Sequence, residues 1–361
     1  MHPRPGRRSA GRRKPRSKTW WRRWSKPISC VTAPGWRPES GTAAGARVPV
    51  TWPAAPAPRT ILVTGGSGFA GRHLLRELGR RFPGANLACP AFDLTQPDEV
   101  AAAFRALQPD ACIHLAAVAA VPVARQQPRL AWEVNLHGTL AVAAAIRAHA
   151  PACRLVYASS ADAYGGSFRD GRAVRETAPL APINTYGASK AAADLALGAL
   201  AGEGLDVIRL RPFNHTGPGQ SAAFVVAAFA RQAARIALGL QPPALRVGAL
   251  DPARDFLDVR DVCRAYATCL RHRWPPGAIL NLASGRPRRI GDILAELLAL
   301  AGIEAAVETD ADRLRPTDIP LAWGDTEAAG ACLGWHPAIP WEQTLGDTLE
   351  DWMERARAEA A

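Results

Sequence analysis

A glycine-rich turn between a buried strand and a helix constrains this chain more than any other feature. Thr60-Ile61-Leu62-Val63-Thr64 is a short β-branched, apolar run. It leads directly into Gly65-Gly66-Ser67-Gly68-Phe69-Ala70-Gly71 and then into a Leu/Arg-rich helical stretch. The spacing is G-x-x-G-x-x-G. Gly65 is expected to make the tight turn, and Gly71 to allow close contact between helix and strand. Gly68, with Phe69 and Ala70 beside it, is expected to bring backbone N–H groups up to a pyrophosphate, at the positive end of the helix. Glycines alone are a weak signal, and their position between a strand and a helix makes them a strong one.

The texture after residue 60 agrees. Strands are predicted at Thr60–Thr64, Ala111–Leu115, Arg154–Ser159, Asp206–Arg211 and Ala278–Leu282. Helices are predicted at Gly68–Arg81, Pro97–Leu107, Leu130–His149, Tyr186–Ala201, Val225–Leu238, Asp261–Arg271 and Gly291–Leu300. Strands alternating with helices imply an α/β fold, a doubly wound parallel (Rossmann) sheet covered on both faces. The expected division is a dinucleotide-binding domain over 59–213 and 251–284, with a smaller substrate lobe over 214–250 and 285–361.

Charge separates the first 59 residues from the rest. They carry fourteen of the 44 Lys/Arg and one of the 32 acids, which leaves the remainder nearly neutral. The body therefore gives no electrostatic reason to expect nucleic acid or membrane as a partner. Residues 1–58 have no apolar periodicity and no apolar core of a secretory signal. They are predicted to be a disordered basic tail, dispensable or added by an upstream start site, with an organelle transit peptide, or nucleic-acid binding through Arg and the interleaved Trp20, Trp21 and Trp24, as the alternatives. The seven cysteines lack C-x-x-C spacing, so neither a disulfide framework nor a metal site is expected, and a reducing cytoplasm fits. No apolar run reaches eighteen residues.

Tyr186-Gly187-Ala188-Ser189-Lys190 places a phenol and an amine one helical turn apart on one face. A nearby ammonium is expected to lower the phenol pKa and make it a usable acid or base. Lys190 is the only lysine after residue 59, in a body that otherwise uses arginine. A compact, tunable point charge is a job that arginine does not do. Ser160 follows a predicted strand, where it would sit at the ligand crevice and donate to a substrate oxygen. No acid stands about twenty residues beyond the glycine turn, where Leu87-Ala88-Cys89-Pro90-Ala91 is found, so the cofactor is expected to be NADPH or NADH, with a lean to NADPH. Arg72 could meet a 2′-phosphate or lie solvated. Asp93-Leu94 could reach the adenine or cap the following helix.

Together these elements resemble the extended short-chain dehydrogenase/reductase family of nucleotide-sugar epimerases, dehydratases and reductases. The resemblance spans roughly residues 60–356. Its marks are T-G-G-S-G-F-A-G, Asp93-Leu94, His114-Leu115-Ala116-Ala117, Asn135 in E-V-N-L-H-G-T, Ser159-Ser160 before Tyr164-Gly165, Tyr186/Lys190 and Arg211-Pro212-Phe213-Asn214. It implies Ser160, Tyr186 and Lys190 as the catalytic set and Asn135 as structural. Leu115, Ala116, Ala117 and Phe213 would line the cofactor.

Asn214-His215-Thr216-Gly217-Pro218-Gly219-Gln220, Arg254-Asp255-Phe256-Leu257-Asp258 and Arg313-Leu314-Arg315-Pro316-Thr317-Asp318 are similar to one branch, the GDP-4-keto-6-deoxy-D-mannose reductases. That similarity implies reduction of a nucleotide-sugar ketone, a role in polysaccharide biosynthesis, and a homodimer built on Leu130–His149 and the Tyr-bearing helix. Arg254 and Arg315 could bind a diphosphate bidentately or pair with Asp255, Asp258 or Asp318. Asn214, Arg246 and Asp318 are further substrate-binding candidates. Asp162 stands where dehydratases carry a glutamate and is one methylene shorter, which weakens that rival.

Overall fold

A computed structural model of the chain describes residues 52–310 and 319–360. Its first half runs β1 (Thr60–Thr64), α1 (Phe69–Arg81), β2 (Asn86–Ala88), α2 (Pro97–Leu107), β3 (Ala111–His114), α3 (Val121–Gln126), α4 (Pro128–Trp132), α5 (Thr139–His149), β4 (Arg154–Ala158), α6 (Thr185–Gly202) and β5 (Val207–Pro212). The second half adds β6 (Asn214–Thr216), α7 (Val225–Ala237), β7 (Ala244–Val247), β8 (Ala253–Asp258), α8 (Val259–Thr268) and β9 (Ile279–Leu282). It finishes with β10 (Pro287–Arg289), α9 (Ile290–Ala301), β11 (Ala306–Thr309), β12 (Leu321–Ala322), α10 (Glu327–Leu333) and α11 (Trp341–Ala360).

Six strands pair in parallel in the order β2-β1-β3-β4-β5-β9. The winding reverses between β1 and β3, which opens a crevice at the carboxyl ends of those strands. Alternate side chains enter opposite cores. Ile61, Val63, Ile113, Val156, Ile208 and Leu210 pack with α1 and α8. Leu62, Cys112, Leu155, Tyr157 and Val207 pack with α2, α5 and α6. Cover on both faces explains why the strands read as unbroken apolar runs.

A second, smaller lobe is built around β8, which pairs in parallel with β6 and β12 and antiparallel with β10. A separate core joins α7, α9 and α11 through Val226, Phe229, Ile293, Leu297, Leu345 and Trp352. The expected division shifts accordingly. Residues 253–258 belong to the lobe's sheet, whereas Ala329, Leu333 and Trp335 pack into the large domain's core.

Two further expectations are corrected. The helix predicted as continuous over Leu130–His149 is interrupted by a π-helical turn over Glu133–Gly138. The reason is tertiary: Asn135 turns inward to bond another loop, and a Cβ on Gly138 would lie 2.9 Å from the Leu94 Cβ. The tail predicted to reach residue 58 ends earlier. Ala54 bridges to His272, Ala55 N donates to Arg271 O at 2.9 Å, and the Trp52 ring packs 5.9 Å from that of Trp274. Residues 1–51 lie outside the described residues.

Candidate active site

The glycine turn is set by steric necessity. Gly65 has φ +71°, and a Cβ there would stand 2.8 Å from Ala116 N. A Cβ on Gly71 would overlap the Gly65 carbonyl oxygen and lie 2.5 Å from Gly66 Cα. Gly68 N donates to Gly65 O at 3.0 Å and closes the turn. Gly68 is the N-cap of α1, with no side-chain cap and no acid in the first turn. The leading amides of α1, from Phe69, Ala70 and Gly71, therefore have no intrahelical acceptor. A cradle that any Cβ would fill, lined by uncapped donors, fits a dinucleotide pyrophosphate.

Across the crevice, Leu115 N donates to Thr64 O and Ala116 N to Thr64 Oγ1, both at 3.2 Å. Leu115, Ala116 and Ala117 are half-buried along this edge. Beneath them runs a buried chain: Thr64 Oγ1 to His114 Nδ1 (2.6 Å), His114 Nε2 to Thr139 Oγ1 (3.0 Å), Thr139 Oγ1 to Asn135 O (2.8 Å). The donors balance if Thr64 donates to Nδ1 and Nε2–H donates to Thr139. Burial, and then the Lys190 charge, push the imidazole down to about 3, which keeps it neutral as this pattern requires. Asn135 ties the crevice to α6. Its Oδ1 accepts from Val118 N (2.7 Å), its Nδ2 donates to Ser189 Oγ (2.9 Å), and Ser189 donates to Tyr186 O (2.8 Å).

Of the three residues expected to be catalytic, Ser160 and Tyr186 meet, and Lys190 lies one turn further along α6. Asn184 caps α6 by accepting from Gly187 N at 2.8 Å. A Cβ on Gly187 would lie 2.5 Å from Asp162 O, so glycine is what lets α6 press on the 3₁₀ turn Ala161–Ala163. Ser160 caps that turn, its Oγ accepting from Asp162 N at 3.1 Å. Ser160 also hydrogen-bonds Tyr186, which opposes two larger effects. Burial and then the Asp162 charge push the phenol up to about 12. This corrects the expected lowering by Lys190. The lysine is itself 3% exposed, and burial pulls it down to about 7 against the raising effect of Asp194. Its Nζ lies 4.4 Å from the centre of the Tyr157 ring.

Asp194, one turn beyond Lys190, is fully buried. It accepts from Arg209 Nη1 (3.0 Å) and from Arg211 Nε and Nη2 (both 2.9 Å). Arg211 continues through Tyr164 OH (2.9 Å) to Asn281 Oδ1 (2.7 Å), tying α6 to β5 and β9. No local pattern marks this network, because its members are far apart along the chain.

The other expected site residues divide. Asp162 and Arg254 feel each other's charge, and Asp162 also acts on Tyr186, so these two are brought to the catalytic set. Arg254 is not paired with Asp255 or Asp258. It donates to the Ala253 and Ile319 carbonyls at 2.8 and 2.9 Å. Asp255 accepts from Ser284 and from the Gly285 and Gly324 amides, and Asp258 bonds Arg260 and Thr344. Asn214 is exposed on β6, opposite Phe256 and one pleat from Arg254. Arg246 is exposed on β7, with only its backbone bonded, to Gln232. Arg315 and Asp318 lie outside the described residues.

Two cofactor expectations change. The Leu94 side chain is buried in the core, leaving only backbone for a ligand. The Phe213 ring is 3% exposed and packs edge-on against Phe168, 6.0 Å away, instead of facing the crevice. The Phe69 ring lies between His73 (5.7 Å) and His215 (6.2 Å). Asp93 is exposed and accepts from Thr95 N at 2.8 Å, the turn role that competed with adenine contact. Arg72 is exposed, as the solvated alternative expected, and donates to the Ser67 and Gly219 carbonyls at 2.8 and 3.1 Å.

Comparisons with known proteins agree with this geometry. The family model described as NAD dependent epimerase/dehydratase family matches residues 61–283. The chain is 39% identical over 302 residues to the GDP-6-deoxy-D-mannose reductase of Pseudomonas aeruginosa, covering 83% of this chain and 99% of that one. The solved structure of RMD from Pseudomonas aeruginosa complexed with NADPH superposes with TM-score 0.76 at 36% identity, covering 82% and 99% of the two chains. The UDP-glucose 4-epimerase of Thermus thermophilus in complex with NAD gives TM-score 0.71 at 30% identity, with 81% and 98% covered. The cradle for a dinucleotide, the paired phenol and amine, and the match across the whole sheet lead to one assignment: this chain belongs to the NAD dependent epimerase/dehydratase family.

Proposed function

We propose that the protein reduces the C4 ketone of GDP-4-keto-6-deoxy-D-mannose to GDP-D-rhamnose. The observation that carries this is the 39% identity, covering 99% of its length, to a GDP-6-deoxy-D-mannose reductase. A phenol pushed up to about 12 is a proton donor throughout the neutral range. Reduction leaves an alkoxide that must gain a proton, whereas oxidation of an alcohol would need the phenolate. The likeness to a GDP-6-deoxy-D-mannose reductase supports the substrate.

When bound, a reduced nicotinamide dinucleotide supplies the hydride. The chain's residues do the rest. Tyr186 gives its proton to the C4 oxygen, Ser160 donates a hydrogen bond to that oxygen, and Lys190 would hold the nicotinamide ribose. The amides of α1 would hold the pyrophosphate, with Gly65 and Gly71 shaping the turn, and Leu115–Ala117 would line its far side. Arg254, with Asn214 beside it, faces the diphosphate of the sugar nucleotide, and Asp162 faces its sugar hydroxyls. NADPH is the preferred form, because the end of β2 carries no carboxylate to repel a 2′-phosphate.

The test mixes purified protein, NADPH and the keto sugar, and reads absorbance loss and product by NMR. Stoichiometric oxidation of NADPH with formation of the 6-deoxy-D-mannose nucleotide is expected. Conversion of GDP-mannose with no added reductant would instead assign a 4,6-dehydratase, with Asp162 as its acid.

We further propose that the protein works in the cytoplasm as a homodimer through α5 and α6. Leu195, on the outer face of α6, is 61% exposed, an apolar side chain suited to a partner helix. The six described cysteines are unpaired, as a reducing compartment requires. Among the described residues no helix is long and apolar enough to cross a membrane. Sedimentation velocity should return twice the chain mass, and Leu195→Glu should return the single chain.

A further inference from the structure

We infer that Tyr157 is a positioning residue for Lys190, its ring face acting as the platform that keeps the buried ammonium charged and aimed at the dinucleotide. This rests on the assignment of Lys190 to the reduction site.

The Lys190 side chain is nearly inaccessible, and no hydrogen bond or ion pair to a described residue holds its Nζ. Its closest described partner is the Tyr157 ring, 4.4 Å from Nζ to the ring centre, well within the range of a cation–π contact. The charged and titratable groups around it offer little else. On its own helix Asp194 is the one carboxylate acting on it, and both Asp194 oxygens are taken by Arg209 and Arg211. Tyr186, also on α6, stays a neutral phenol. From β3, His114 is a neutral imidazole whose ring stacks on Tyr157 at 5.9 Å and 28°. Thr139 on α5 is committed to His114 and Asn135.

The ring is fixed by register. Tyr157 lies opposite His114 on β3 and Arg209 on β5, in the middle of the parallel sheet. Its hydroxyl is buried beside Thr139. The face of the ring, and not the hydroxyl, is what meets the amine. Without that face, burial would remove the proton from Lys190 at lower pH.

The experiment measures NADPH affinity against pH by fluorescence on the full chain. The variants are Tyr157→Phe, Tyr157→Leu and 3,4,5-trifluorophenylalanine at position 157, with Lys190→Met as reference. In the parent, affinity should weaken as pH rises through about 7, where Lys190 loses its proton. Tyr157→Phe keeps the ring face, so it should reproduce that profile. Tyr157→Leu should move the break down by about one pH unit and weaken NADPH binding about fivefold at pH 7. The trifluorinated ring keeps the volume and removes the negative face. It should behave as Leu does, which answers the question even if the Leu variant fails to fold.

A trifluorinated variant whose profile coincides with the parent's would overturn the platform. If Lys190→Met itself keeps the parent's affinity and pH profile, the amine does not meet the cofactor, and the assignment of the site falls instead.

Discussion

Tyr186→Phe is expected to lose about 10²–10⁴-fold in kcat for the keto sugar, equivalent to roughly 3–5 kcal/mol of barrier. NADPH affinity should stay within about twofold of the parent. The substitution removes one oxygen from a ring already held between Ser160 and the Asp162 turn, so the fold has little reason to change. The proton, however, has no equal substitute. Ser160 is the other hydroxyl aimed at the same place, and as an alcohol it is a far weaker acid. The measurement is steady-state NADPH oxidation with a separate binding titration. Unchanged turnover would remove the phenol from the chemistry altogether. A parallel loss of NADPH binding would mean that the ring holds the cofactor and is no proton donor.

Asp194→Asn is expected to cost about 3–5 kcal/mol of stability, because it leaves the Arg209 and Arg211 guanidinium groups buried without their carboxylate. Against a typical total of about 5–15 kcal/mol, that is a large fraction, and urea denaturation will read it as a lower midpoint. Burial alone would raise the Asp194 pKa, but the hydrogen bonds and charges of the arginines outweigh it, and the carboxyl ends below its ordinary 3.8. A group depressed on folding contributes stability that is fully present above its unfolded pKa and is lost as pH falls through the folded one. The parent should therefore lose stability in acid below about pH 4, and the Asn variant should lose less over that window. A variant as stable as its parent at pH 7 would show that the arginines find other acceptors and that the carboxylate is dispensable.

Particular elements show where sequence reasoning reached and where it stopped. β1, the glycine turn and α2 were legible to within a residue, since local sterics and capping govern them: Gly65 needs a positive φ, Gly71 has no room for a Cβ, and Pro97 starts a helix. β2, three residues long, offered too short a pattern to detect. The π-helical turn at Glu133–Gly138 was hidden for a different reason. It exists because Asn135 bonds Val118, seventeen residues away, and Gly138 meets Leu94. Among the expected site residues, Ser160 was proposed from its place after a strand, and Tyr186 and Lys190 from their spacing and the rarity of lysine. Leu94 and Phe213 were assigned to the cofactor by resemblance, yet their side chains are buried in the core.

Sequence alone determined that this chain builds a doubly wound sheet with a dinucleotide turn and a Tyr/Lys pair on one helix face. Those are properties of residues within one turn or one strand of each other, where backbone geometry fixes the neighbours. Only the tertiary structure decided the protonation states that make the pair useful. Burial drives Tyr186 up and Lys190 down, Asp162 acts on the phenol from a loop, and Tyr157 and Asp194 surround the amine. The energy of a charge depends on everything within several ångströms of it, and that neighbourhood forms only when distant segments of the chain have packed.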